Sequence, residues 1–296
     1  MTPREKGFLL LTSHLGDPAR RPLTVAQFRG LTNRVRAMEA PEQNRHMIPA
    51  DLTALGYSEE MADRILHLLS DKELLDYYLH KGRRSGCEVL TRVSDGYPAR
   101  VRSKLGLDSP GCLWVRGDIS LLQRPSVSAV GSRNLRYANA AFAQELGYQA
   151  AVQGYVLVSG NARGADTVAQ EACLEAGGYV ISVVADALDK QPLRERVLYL
   201  SEDSFDENFS PQRALSRNRV IHSLSRKVFV IQSSMETGGT WDGTIKNLRA
   251  GWSNVFCFDD GSQPTQAYMQ MGACSIDLEQ LQDISSLPDT VHLFGQ

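Results

Sequence analysis

The sequence predicts an α/β protein, a doubly wound, mostly parallel sheet with an N-terminal helical domain. Three observations predict it. From residue 126 onward, short runs rich in β-branched residues alternate with helical periods, the pattern of strands covered on both faces by crossover helices. Glycine-containing segments follow several of those runs, and ligands of such sheets sit at the carboxyl ends of the strands. Residues 1–90 show helical spacing without that alternation.

In chain order, Thr24 caps a helix with Phe28, Leu31, Val35 and Met38 on one face. Pro49 opens a short helix over 50–55. Gly56 ends it, and Ser58 caps the next, which carries Met61, Ile65, Leu68 and Leu69. Asp71 caps another, with Leu74, Leu75 and Tyr78. Short helices joined by Leu55-Gly56-Tyr57 resemble a helix-hairpin-helix or SAM-like module; a plain helical bundle without DNA contact fits the same residues. Residues 91–124, punctuated by Tyr97-Pro98 and Ser109-Pro110-Gly111, read as a connecting segment with one short strand, Cys112-Leu113-Trp114-Val115. Strands are expected at 126–130, 155–159, 179–184, 197–200, 227–231 and 254–258, and helices at 136–152, 165–176, 211–223, 240–250 and 264–271. The sheet domain spans 125–284, and 285–296 is an acidic, flexible tail.

Composition narrows the function. With 42% hydrophobic and 22% charged residues the chain is an ordinary globular protein. No apolar run approaches the ~18 residues of a membrane span. Phe8-Leu9-Leu10-Leu11 is too short for a signal-peptide core, so a cytoplasmic protein with no membrane contact is expected. The five cysteines are scattered, without a Cys-x-x-Cys pair, so neither disulfides nor a metal site is expected. The net charge of −2 divides into +4 over 1–125, 0 over 126–258 and −6 over 259–296. A globally basic nucleic-acid binder is excluded, and any such site is a local patch.

The residues after each strand carry the chemistry. Gly131-Ser132-Arg133 follows the first strand of the sheet domain. Ser159-Gly160-Asn161-Ala162-Arg163-Gly164 follows the second and opens a helix whose N-terminus would favour a phosphate. Arg133, Arg163 and Lys190 could surround it with charge. Asp166, in the first helical turn, reads as a cap. Arg217 and Arg219 point to different sides of one helix, so one can bind ligand while the other pairs with an acid; Asn218 lies between them. Gly238-Gly239-Thr240 is a second potential phosphate loop. His222 reads as non-catalytic, and Trp241 and Trp252 as core. There is no nucleophilic triad, no Gly-x-x-x-x-Gly-Lys-Ser/Thr loop and no Gly-x-Gly-x-x-Gly fingerprint, so no cofactor is expected.

Together these residues resemble the DprA/Smf family of DNA-processing proteins. The likeness rests on Val130-Gly131-Ser132-Arg133, on Ser159 to Asp166, and on Arg217-Asn218-Arg219-Val220-Ile221. Asp95-Gly96-Tyr97-Pro98, Leu113-Trp114-Val115-Arg116-Gly117 and Gly272-Ala273 add to it. The resemblance implies an extended Rossmann-like fold and a non-enzymatic homodimer. It implies a protein that binds and protects single-stranded DNA and hands it to the RecA recombinase during transformation, with Arg133, Arg163 and Lys190 lining the phosphate pocket. The chain departs from the pattern at 189–201 and at Thr237–Thr244, as a divergent branch would, and no basic winged helix follows the sheet. Two other readings remain open. One is a nucleotide sensor, or a relative of the LOG-type phosphoribohydrolases, in phage defence; there Asn247 stands where hydrolysis needs Glu, and an amide cannot act as a general base. The other is a defence or signalling scaffold whose helical region binds a protein.

Overall fold

The computed structural model describes residues 1–37 and 47–288. Nine strands form a single sheet: β1 (Glu88–Thr91), β2 (Cys112–Arg116), β3 (Ser126–Val130), β4 (Val156–Ser159), β5 (Tyr179–Val183), β6 (Val197–Glu202), β7 (Lys227–Val230), β8 (Asn254–Phe258) and β9 (Cys274–Ile276). Their spatial order is β1-β2-β6-β5-β4-β3-β7-β8-β9. From β6 to β9 every pairing is parallel; β1–β2 and β2–β6 are antiparallel. The chain winds outward from β3 in both directions, so its switch point lies between β3 and β7, where Val127 pairs with Leu157 on one side and Lys227 on the other.

Helices cover both faces, which is why the central strands are mostly apolar and their interiors buried. On one face lie α7 (Tyr137–Val152) and α8 (Ala165–Glu175), packed on Val127, Ala129, Leu157 and Val180. Their crossing is close because Gly147 lacks a Cβ, which would sit 2.1 Å from the Ala169 carbonyl oxygen. On the other face α6 (Ala99–Leu105), α9 (Pro211–Leu224), α10 (Gly238–Ala250) and α11 (Gln263–Gln270) cover Val130, Val158, Val183 and Val228. Ser128 also points to this side and donates its hydroxyl to the Ile221 carbonyl at 2.7 Å.

The stretch 91–124 is no mere connection. Cys112, Leu113, Trp114 and Val115 are all buried, and β2 joins the sheet through Leu113–Glu202 register. A strand apolar on both sides has to be covered on both sides: Trp114 packs with Tyr78 and Phe205, and Leu113 with Val101 and Leu105. The end of the chain departs from expectation as well. A turn of helix over Gln280–Ser286 buries Leu281 and Ile284, and Leu287 follows them into the same core, so ordered structure continues past 284. Residues 289–296 of the expected tail lie outside the described residues, as does Met38. Among the described residues no helix is long and apolar enough to cross a membrane.

The N-terminal helices are α1 (Pro3–Thr12), α2 (Val25–Ala37), α3 (Pro49–Ala54), α4 (Glu59–Ser70) and α5 (Lys72–Arg84). The sequence signals for α2 to α4 hold and α5 forms where its apolar spacing put it, though without its expected cap, whereas α1 went unrecognised because Phe8 to Leu11 has no helical period. All four of those residues are buried. Leu9 and Leu10 belong to the core under the sheet, and Leu11 to a separate core with Leu31, Leu52, Ile65 and Leu68. A helical turn buried on all sides, as Phe8 to Leu11 is, has no polar face to betray it; the signal of α1 is the capping box of Thr2 and Glu5 with Pro3 at the first position.

Asp71 does not cap α5 with its side chain. It accepts Arg20 Nε at 3.1 Å instead. Arg20 is buried and also donates to the carbonyls of Ser13, Leu10 and Leu68. One guanidinium thus ties the loop after α1 to α1 itself and to the α4–α5 junction. In the hairpin between α3 and α4, Arg34 bonds the Leu55 carbonyl at 2.9 Å and lies over the Tyr57 ring. Replacing Arg20 by Met should cost about 3–5 kcal/mol, since Asp71 and three carbonyls lose a buried partner. Urea unfolding followed by circular dichroism measures it, and a cost under 1 kcal/mol would show that solvent takes over those bonds.

Candidate nucleic-acid interface

At the carboxyl ends of β3 and β7 a cavity of about 630 Å³ opens over the switch point. Its wall brings together Gly131, Ser132, Arg133, Ala162, Asp166, Arg217, Asn218, Gly238, Gly239 and Thr240. Three loops and the start of α10 therefore converge as the strand-end rule requires. Gln232 stitches two of the loops. Its carbonyl accepts the Ser132 amide at 3.0 Å, its side-chain oxygen accepts the Arg136 amide at 2.9 Å, and its Nε2 donates to the Asn134 carbonyl at 2.9 Å. Asn218 Nδ2 bonds the Gly239 carbonyl at 3.0 Å, so α9 holds the first turn of α10; a Cβ on Gly239 would lie 2.9 Å from that nitrogen.

The loop after β4 does not offer the open anion site expected of it. Asp166 turns back under it, and its Oδ2 accepts the amides of Gly160 and Ala162, each at 3.1 Å. The Ala165 amide, first of α8, donates to the Ser132 carbonyl at 3.1 Å. The protein's own oxygens thus fill the loop. Burial raises the Asp166 carboxyl above its usual range, while Arg217 and the two amides oppose that shift. Arg217 is buried too, bonds the Val183 carbonyl at 2.8 Å and lies against the Gly160 backbone, where a Cβ would overlap the guanidinium. Its Nε has no partner among the described residues. The helix N-terminus that faces the cavity is that of α10, whose first amides have no intrahelical acceptor.

The other expected residues lie outside the cavity wall. Ser159 is fully buried and accepts from Gln170. Gly160 is the platform for Arg217, and Asn161, at φ +59°, reaches Gln191 at 3.5 Å. Arg163 bonds the Asn134 side chain at 2.7 Å. Gly164, at φ +90°, lets the loop pass beneath the carbonyls of Ser132 and Arg133, which a Cβ would meet at 2.5 and 2.4 Å. Lys190, in a short turn, donates to Asn208. Arg219 points the opposite way from Arg217, pairs with Glu202 at 3.0 Å and lines a different, larger cavity. His222 does sit in the wall, buried and pushed down to about 4 by burial, so it is neutral. Asn247 is turned away, bracketing Ser253. Trp241 packs on Tyr268, while Trp252 lies past the end of α10 and lines the larger cavity.

A model of the DNA recombination-mediator protein A family matches residues 88–274, more than half of the chain. The chain belongs to that family. The DNA processing protein DprA of Streptococcus pneumoniae is 33% identical over 141 residues, 44% of this chain and 50% of that one. The chain spans about half the length of the curated relatives it matches. The crystal structure of the pneumococcal protein superposes with a TM-score of 0.72 at 23% identity over 95% of this chain and 97% of that one. A structure addressing the single-stranded DNA binding mode of DNA processing protein A from Helicobacter pylori gives 0.56 at 23% identity, over 66% and 94% of the two chains. These likenesses establish the fold, with β1 and β2 inside the recombination-mediator family match.

Sequence reasoning missed Asn134, Gln232 and the half-exposed Phe209, all in the cavity wall. Gln232 follows the end of β7 closely, where the strand-end rule could have found it. It also missed Glu202, the acid that Arg219 meets. Glu202 Oε2 accepts from Arg219 and from Ser216 at 2.9 Å, and its Oε1 has no partner among the described residues. Burial pushes this carboxyl from 4.5 up to about 7, against the pull of Arg219. A raised folded-state value favours folding below the unfolded value and loses that contribution as pH rises through the folded one. The stability of the native protein relative to Glu202→Gln should therefore fall between pH 4.5 and about 7. Paired urea titrations across that range test it; a difference independent of pH would place the Glu202 carboxyl at its ordinary value.

Proposed function

We propose that the switch-point cavity binds the backbone of single-stranded DNA, and that the protein is a non-catalytic mediator that protects the strand and passes it to a recombinase of the RecA type. The observation that carries this reading is Arg133. It stands exposed at the cavity, with no hydrogen bond or ion pair among the described residues, opposite the glycine-led first turn of α10. A mobile cation and a helix N-terminus grip phosphate without reading bases. Arg217, Asp166, Gly160 and Gly164 shape the loop that carries Arg133, and Ser132, Asn218, Gly238, Gly239 and Thr240 complete the contact surface. Family membership supports the reading, as does the DNA-binding relative from Helicobacter. A homodimer acting in the cytoplasm completes the proposal.

One observation favours a second reading. A volume of about 630 Å³ lies within the ~300–1,000 Å³ range of small-ligand sites, so a free nucleotide fits it. One titration separates the two. Labelled poly-dT is followed by fluorescence anisotropy at two salt concentrations, then competed with a mononucleotide. Arg133→Ala should weaken poly-dT binding about tenfold with an unchanged melting temperature, and should lower the salt slope by about 0.7 for the one phosphate lost. Equal affinity of the folded variant would remove Arg133 from the site. Displacement by micromolar mononucleotide would favour the sensor.

A further inference from the structure

The larger cavity, about 1610 Å³, lies between the N-terminal helices and the outer faces of α9 and α10. Leu215, Asn218 and Gly238 wall both cavities, so the two adjoin across a single ridge. α10 runs from one into the other. Gly238, Gly239 and Thr240 in its first turn border the smaller space, and Asp242, Lys246 and Arg249 line the larger. Those three are spaced four and three apart and therefore share one helix face. A helix of 13 residues extends about 20 Å. α9 divides in the same way: Arg217 faces the smaller cavity, Arg219 the larger, and Asn218 belongs to both.

The charge of the larger cavity suits an anionic chain. Six basic side chains, Arg21, Arg64, Arg92, Arg219, Lys246 and Arg249, face four acids, Asp108, Asp203, Glu207 and Asp242. Two of the cations are available. Arg249 is exposed and has no hydrogen bond or ion pair among the described residues. Lys246 meets Asp242 at 2.7 Å, but both are well exposed, and such pairs exchange at little cost. Phe28 and Trp252, both partly exposed, lie in the wall, Phe28 backed edge to face at 5.0 Å by the buried Phe8, and Trp252 beyond Arg249. Cations interleaved with aromatic rings are what a single strand needs from a groove.

Resting on the reading that the switch-point cavity holds single-stranded DNA, we propose that the strand continues from it. The strand crosses the Asn218 ridge and follows α10 into the larger cavity, where Lys246 and Arg249 hold its phosphates beneath the N-terminal helices. The helical region is then one wall of the binding track, and the footprint exceeds what the smaller cavity can hold.

Anisotropy titrations of dT6 and dT20 test this with the full chain. The double variant Lys246→Gln, Arg249→Gln should weaken dT20 about tenfold, lower its salt slope by about 1.4 and leave dT6 unchanged. Asp242→Asn, which frees Lys246, should tighten dT20 and serves as the check that is immune to misfolding. If the double variant binds dT20 like the native protein while Arg133→Ala loses both oligonucleotides, the track is wrong and the pocket stands. If both oligonucleotides weaken equally in the double variant, the α10 charges serve the pocket and the track is likewise overturned. If the native protein binds neither, pocket and track fall together.

Discussion

Everything at the site depends on how closely the loop after β4 passes under the loop after β3. The contact is steric before it is electrostatic. A Cβ on Gly164 would lie only 2.4–2.6 Å from the Ser132 and Arg133 carbonyls, so no other residue lets the two loops pass this closely. That approach lets the Ala165 amide reach Ser132, which fixes the start of α8 against β3. The Asp166 carboxylate occupies the amides that would otherwise draw an anion, and the buried Arg217 offsets its charge. A buried acid that would be costly alone becomes tolerable with two amides and a nearby guanidinium. The loop most suggestive of phosphate binding is thereby an internal scaffold, and the exposed Arg133 is the group it presents.

The helical region and the sheet are joined just as tightly. α1 contributes to both cores, and Tyr78 of α5 packs on Trp114 and Phe205 while its hydroxyl reaches Asp206 at 2.9 Å. Burial pushes the Tyr78 hydroxyl well above its ordinary value, so it remains a donor at any pH the protein meets. A cleft bounded by both parts can therefore keep its shape. The roof and floor of the larger cavity are not independent bodies meeting across a soft linker.

Much of the sheet domain was legible because its signals are local. Runs such as Val127 to Val130 and Val180 to Val183 are buried at every position and broken by a single serine each, Ser128 and Ser182, so they stand out from the helical periods between them. Strand ends marked the cavity: Gly131 and Gly239 follow their strands and line it, while Asn218 reaches it from a helix. What was not legible depends on partners distant in sequence. Nothing next to Arg219 announces Glu202, nothing next to Asp71 announces Arg20, and the burial of Ser159 beneath Gln170 needs the whole of α8 in place. β2 was expected as a short strand inside a connecting segment, and its place in the sheet was hidden because four residues cannot reveal an antiparallel neighbour far along the chain. Lys190 followed its strand as expected, yet the turn at Leu188–Lys190 carries it to Asn208.

That antiparallel seam has a temporal side. As the ribosome delivers the chain, β2 emerges directly after its first partner, β1, but well before its second, β6, and β3, β4 and β5 appear in the interval. Until β6 is made, Trp114 and Leu113 are paired on the β1 side alone, and the free backbone groups on the other edge of β2 remain a template for unwanted pairing. Closing the seam late, across a long loop, slows folding through the entropy of that closure. A nascent chain stopped short of β6 therefore has a helical core of its own but leaves one edge of β2 uncovered.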